Sequence, residues 1–369
     1  MGTVRIIKPA ERHPEPRITL VSQAISAPLT ATAPARPASK GNGALGDAVF
    51  SAACHTAGVF VLLLMGGIIV GLFVGGLPAF KAFGLSFVTS TEWNPVTEVF
   101  GAAVPIYGTI VTAVLSIILA VPLAFGVAFF LTELAPAWLR GPAGTAIELL
   151  AAVPSIIYGM WGFFFIVPIM ATTIQPAVID TIGTLPVIGG LFQGPPFGTG
   201  ILTAALILAI MILPFIAATM RDVFQTVPPV YKESAYGLGA TTWEVMRGVV
   251  IPYTRISVVG GVMLGLGRAL GETMAVTFVI GNANRIATTL FGSGNTIASL
   301  VALEFGESEL GSLKLSALLA LGFILFVISF IVLAVSRYLL RPQSFKARTT
   351  AVAAVPKAPT APTATVAKA

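Results

Sequence analysis

Residues 48–80 read AVFSAACHTAGVFVLLLMGGIIVGLFVGGLPAF and contain no Lys, Arg, Asp or Glu. A hydrocarbon layer of ~30 Å is crossed by about 20 predominantly apolar residues in a helix, so this stretch alone is long enough to span it. Further uncharged stretches follow at 99–132, 149–179, 181–220 and 315–336. The whole chain agrees: of 369 residues, 56% are hydrophobic and 10% are charged, with a mean hydropathy of +0.93. Soluble domains carry about 25% charged residues, and none could cover so much apolar surface. The chain is therefore read as an all-α, polytopic membrane protein with six transmembrane helices, placed near 50–77, 105–131, 144–170, 201–220, 257–281 and 315–337.

Outside the spans, residues 1–49 and 345–369 are rich in Pro, Ala and Thr, a composition that predicts disordered tails. The first apolar stretch begins only near Val49 and is too long for the apolar region of a cleaved signal. The net charge of +6 raises the question of a nucleic-acid partner, but the basic residues are spread over tails and alternate loops instead of one face, so no nucleic acid is expected. Their placement instead orients the chain, because insertion leaves Lys and Arg on the cytoplasmic side. With the N-terminus inside, the first tail, Arg140, residues 221–256 and the last tail hold almost all of them. The outer side then receives Lys81, Arg285 and Lys314. Both termini are expected in the cytoplasm, with the protein in the inner (plasma) membrane. The outer loops at 78–104 and 171–200 are too long for plain hairpins and suit a docking face.

Enzyme signatures are missing. No Lys follows a Gly, which excludes a GxxxxGK[ST] phosphate loop, and there is no GxSxG. His13 and His55 are not followed by Glu, and with Cys54 they are too few for a nitrogen-and-sulfur metal site. Cys54, as the single cysteine, closes no intrachain disulfide. No catalytic or metal site is expected, so the energy for any transport comes from another chain or from a gradient.

The most specific segment is Glu233-Ser234-Ala235-Tyr236-Gly237-Leu238-Gly239, followed after nine residues by Val249-Val250-Ile251-Pro252. It predicts two short helices joined by a turn. Pro228 and Pro229 suit a helix start, Gly239 a left-handed helix end, and Thr241 with Glu244 a capping box; Pro252 is expected to stop the second helix. This pattern resembles the EAA loop of ABC importer permeases, with Glu233, Ala235, Gly239, Val249, Ile251 and Pro252 in register. Ser234 replaces the motif's second residue, and Val and Ile replace its usual Ile and Leu. Three more stretches are similar to the PstC-type permeases of phosphate-specific ABC importers: Glu92-Trp93-Asn94-Pro95 with Ile106-Tyr107-Gly108-Thr109, Glu148 through Gly159, and Gly267 through Val276.

The resemblance covers roughly residues 50–340. It implies a type I importer (MetI-like) permease domain at 50–344 whose cytoplasmic loop, 221–256, couples to the ATPase. It further implies a second permease of the PstA type, two ATPase subunits that use the ATP, an external phosphate-binding protein and inorganic phosphate as cargo. No cofactor belongs to this chain; membrane lipid surrounds it. An ABC permease for another small substrate, or a gradient-driven transporter, is the alternative.

Within the fifth predicted helix, Arg268 and Glu272 lie about 11 residues or more past the cytoplasmic boundary, roughly 16 Å deep at 1.5 Å per residue. Charges there are costly and face protein or water. Four residues apart, they are expected on one helix face, either as translocation or gating residues or as a structural ion pair. Gly261 with Gly265 and Gly267 with Gly271 predict close helix packing. Pro154 and Pro214 are expected to kink the third and fourth helices. Glu148 is expected to make a structural ion pair, Trp93 and Trp138 to anchor at the membrane interface, and Tyr158 with Trp161 to pack.

Overall fold

Two arrangements organise the fold: long helices that satisfy their own backbone hydrogen bonds, as a lipid environment requires, and short elements that cap them on either side. The computed structural model describes residues 43–186 and 188–339. The expected tails lie outside the described residues except for 43–49, which are helical: α1 (Gly43–Phe83) begins at Gly43, not near residue 50. Contacts divide the chain after Leu63. Residues 43–63 are one helical stretch with exposed apolar side chains. Residues 64–339 form the packed body.

Six helical segments among the described residues are long and apolar enough to cross a membrane, namely Gly46–Phe83, Ala103–Leu134, Ser155–Thr184, Ile201–Gln225, Thr242–Leu270 and Leu313–Tyr338. After α1 come the short α2 (Ser86–Thr89) and a hairpin of β1 (Trp93–Asn94) and β2 (Val99–Phe100), paired antiparallel with Trp93 opposite Phe100. The second span is α3 (Ala103–Phe129) continued by a π-wound turn, Phe130–Leu134. The third comprises α5 (Ser155–Trp161), α6 (Val167–Ile169) and α7 (Gln175–Thr181), with π-wound stretches between them. The fourth is α8 (Ile201–Gln225).

α9 (Pro229–Gly237) and α10 (Thr242–Val245) follow, and α10 winds through Met246–Val250 into α11 (Ile251–Leu270). Then come α12 (Met274–Thr277), α13 (Ile297–Glu304) and the last span, α14 (Leu313–Leu339).

The third span begins at Ser155, not near residue 144, and a separate helix, α4 (Ala137–Ala151), precedes it. Pro154 has ψ 135 and serves as the N-cap of α5, so it starts the span and does not kink it. Proline also disfavours helical geometry in the residue before it, which separates the two helices. Prolines explain the π-wound turns too. Each of the four found among the described residues, 130–134, 162–166, 170–174 and 246–250, ends two residues before a proline: Pro136, Pro168, Pro176 and Pro252. A proline ring clashes with the carbonyl four residues back and supplies no N–H; one extra residue in the preceding turn accommodates both. Pro252 therefore does not end the helix as expected.

The core lies along α3, α8 and α11. Ala113, Ala120, Ala124 and Ala128 on α3 are fully buried, and such small residues let α3 approach α8 closely where lipid gives no hydrophobic drive. Gly261 and Gly265 do the same for α11: a Cβ on them would meet Thr219 and Ile216 of α8 at 2.7 and 2.8 Å. Gly267 and Gly271 make no such close approach.

Candidate functional site

The loop between α8 and α11 forms as its residues dictate. Pro228, with ψ 133, leads into α9. Gly239 takes φ +87, and Ala240 N–H donates to Ala235 O at 3.1 Å, the closing bond of a Schellman helix end. Thr241 N–H then donates to Glu244 Oε2 at 2.8 Å, and Glu244 N–H to Thr241 Oγ1 at 3.4 Å, which completes the capping box of α10. Of the six motif residues, Glu233 is exposed on α9, while Ala235 and Gly239 make the helix end. Val249, Ile251 and Pro252 lie in the helix that carries the loop back into the body. The turn presents apolar groups outward, with Leu238 90% exposed and Val230, Tyr231, Tyr236 and Trp243 also exposed.

Val227 and Met246 of this loop are buried in the core, and specific side-chain contacts add to their hold. Lys232 Nζ meets Glu133 Oε1 at 2.6 Å. The Trp243 ring stands edge-on to Phe129 at 5.9 Å, and Tyr231 lies 6.1 Å from Tyr253. A cleft of about 420 Å³ opens beside them, lined in part by Arg140, Arg221, Gln225 and Lys232. Glu148, on α4, pairs with Arg221 of α8 as the ion-pair expectation required.

Arg268 and Glu272 part from the expectation. α11 ends at Leu270, with Gly271 as its C-cap, so Glu272 lies beyond the helix and the two side chains share no face. Glycine's weak helix propensity at this junction and the side chain of Glu272, which accepts the Ala275 N–H at 3.4 Å to open α12, account for the break. No ion pair joins them among the described residues. Arg268 is exposed and sits over the Phe215 ring at 5.9 Å. Phe215 lies 10 residues from the C-terminal end of α8 at Gln225, which is about 15 Å at 1.5 Å per residue. Arg268 thus reaches mid-depth of the bundle, where non-helical backbone survives only against protein or a watery path. Tyr158 and Gly159 line the same region: Gly159 abuts Ala275 and Met274, and the Tyr158 hydroxyl donates to Leu150 O at 3.0 Å. Trp161 is 42% exposed.

At the opposite end, Trp93 is 8% exposed, and its Nε1 donates to both carboxylate oxygens of Glu304 at 3.1 Å. It is a core residue, not the interfacial anchor expected, because the hairpin folds it against Phe100. Lys314 Nζ meets the same carboxylate at 3.2 Å. Trp138, by contrast, is 75% exposed on α4. The segment at 282–297 covers the N-terminal ends of α3 and α8. Tyr107 donates to Ala287 O at 3.1 Å, Ile297 N–H to Thr109 Oγ1 at 2.9 Å, and Ile201 N–H to Gly292 O at 3.1 Å.

Sequence reasoning missed the Glu133–Lys232 and Trp93–Glu304 contacts, whose partners stand 99 and 211 residues apart; the charges at membrane-helix ends were the available signal. Among the described residues, no group of three or more His, Cys, Asp or Glu side chains is placed to hold a metal ion.

Comparison with known proteins gives this geometry a family. The model of the binding-protein-dependent transport system inner membrane component matches residues 120–342. The phosphate transport system permease protein PstC of Mesorhizobium japonicum is 56% identical over 89% of this chain and 99% of its own length. A probable PstC of Methanocaldococcus jannaschii is 37% identical over 77% of this chain and 90% of its own. In fold, the chain is similar to a chain from the crystal structure of a bacterial ABC transporter involved in alginate import, with TM-score 0.53 and 16% identity over 81% of this chain and 96% of the other. A family match spanning most of the packed body, together with relatives this similar over nearly their full length, shows that the chain belongs to the binding-protein-dependent inner membrane transport components, as an ABC permease of the PstC type.

Proposed function

We propose that this chain forms one half of a gated path for inorganic phosphate, the other half being a PstA-type permease. ATPase subunits seat on the loop at 221–256 and hydrolyse the ATP, while an external phosphate-binding protein delivers cargo to the outer loops. Both termini then lie in the cytoplasm. The observation that carries the reading is the ordered turn at 237–244: a Schellman end and a capping box hold Leu238 outward at 90% exposure, a rigid apolar tip that suits a groove on a partner. The names of the close relatives supply the cargo.

Arg268 is the candidate translocation residue. A guanidinium keeps its charge at depth and offers planar donors to phosphate oxygens. Exposed on the packed body over Phe215 and, among the described residues, without a carboxylate partner, it is available to an anion. Glu272 accepts the Ala275 N–H of α12 instead of holding Arg268, which makes it a candidate for shaping the break in α11. In proteoliposomes holding the complete transporter, phosphate should stimulate ATP hydrolysis where sulfate does not, and Arg268→Gln should sharply reduce phosphate uptake per assembled complex. Equal stimulation by sulfate would point to another cargo, and full uptake by the variant would remove Arg268 from the path.

A further inference from the structure

The ion pair between Glu133 and Lys232 joins α9 to the π-wound end of the second span. Lys232 is on α9, none of whose residues is buried. Glu133 is in the π-wound turn that ends the second span. The Glu133 side chain is 8% exposed and that of Lys232 19%, with 2.6 Å between the charged atoms. Among the described residues, the Tyr231–Tyr253 ring contact also ties α9 to a membrane helix. A charged pair withdrawn from water resists separation, because parting it leaves a desolvated charge without a partner.

The helix that carries Glu133 also reaches the other side of the bundle. Tyr107 and Thr109, near the start of α3, bond to Ala287 and Ile297, and Gly108 packs on the backbone of Asn295, whose oxygen leaves no room for a Cβ. One helix therefore holds the coupling loop at one end and the segment at 282–297 at the other. Its end is π-wound, a local winding frequent at functional sites.

We propose that the Glu133–Lys232 ion pair is the transmission link of this permease: it passes displacement of α9 to α3, and through α3 to the outer segment at 282–297. Both are positioning residues. The inference rests on the reading that the loop seats an ATPase, and the test separates the two. Glu133→Gln, Lys232→Met and the reversed pair Glu133→Lys/Lys232→Glu are placed in the complete transporter. Retention of ATPase subunits is measured first, then ATP hydrolysed per phosphate imported. Each single variant should retain the subunits and hydrolyse ATP but import on the order of tenfold less phosphate per ATP, within the usual span of coupling energies; the reversed pair should recover most of the ratio. A wild-type ratio in both single variants would overturn the link. So would loss of the ATPase subunits in the single variants, or a reversed pair no better than they are. A wild-type chain unable to retain ATPase subunits would sink the coupling-loop reading, and this inference with it.

Discussion

Replacing Gly239 tests the coupling loop through backbone conformation alone. Its φ is +87, and no atom lies within 4 Å of where a Cβ would stand, so a substitution meets no steric clash and its whole effect is strain. An ordinary L residue in the left-handed region costs roughly 1–2 kcal/mol. If that strain falls entirely on the loop conformer that seats the ATPase, affinity drops by roughly 5- to 30-fold, since 1.4 kcal/mol is tenfold. Asn tolerates this conformation better than Ala, and β-branched Val worse. The expected order of ATPase affinity is therefore Gly, Asn, Ala, Val, with membrane insertion unchanged throughout. Titration of purified ATPase subunits onto each permease variant in nanodiscs reads it. Wild-type affinity for Gly239→Val, or Asn weaker than Ala, would refute the reasoning.

Gly108→Ala should destabilise the junction of α3 with the segment at 282–297 by about 1–3 kcal/mol, as overpacking does, because the new Cβ would collide with the backbone oxygen of Asn295; a lower melting temperature of the purified complex checks it. Trp93→Phe keeps the ring packing but leaves Glu304 without its indole donor, a loss of roughly 1.5 kcal/mol for a bond to a charged acceptor. The same thermal assay should show a drop of the corresponding size. In a Cys54→Ala background, single cysteines at Gln193 and Leu310 should react with an impermeant thiol reagent outside intact spheroplasts, whereas those at Leu238 and Thr360 should react only after lysis. Labelling of position 238 without lysis would reverse the orientation.

Membrane spanning was legible in the sequence because lipid imposes a simple requirement on composition and length, and uncharged stretches such as 48–80 meet it without reference to any other part of the chain. The turn between α9 and α10 was legible for a similar reason. Helix ends are local chemistry, and Gly239, Thr241 and Glu244 determine theirs within a few residues. Proline was read less well: Pro154 starts a helix and Pro252 lies within one, because a proline's effect depends on whether the preceding turn can take an extra residue.

The pairings were decided by tertiary structure alone. Arg268 and Glu272 are four residues apart, yet the break at Gly271 separates them, while Glu133 and Lys232, 99 residues apart, meet at 2.6 Å. Which charges meet depends on where α3, α8 and α11 come to lie, and that follows from the small-residue seams of Ala113 to Ala128 on α3 and Gly261 with Gly265 on α11. Spacing along the chain determines which residues share a face only while one helix continues unbroken; across helices, the close fit of small residues determines it.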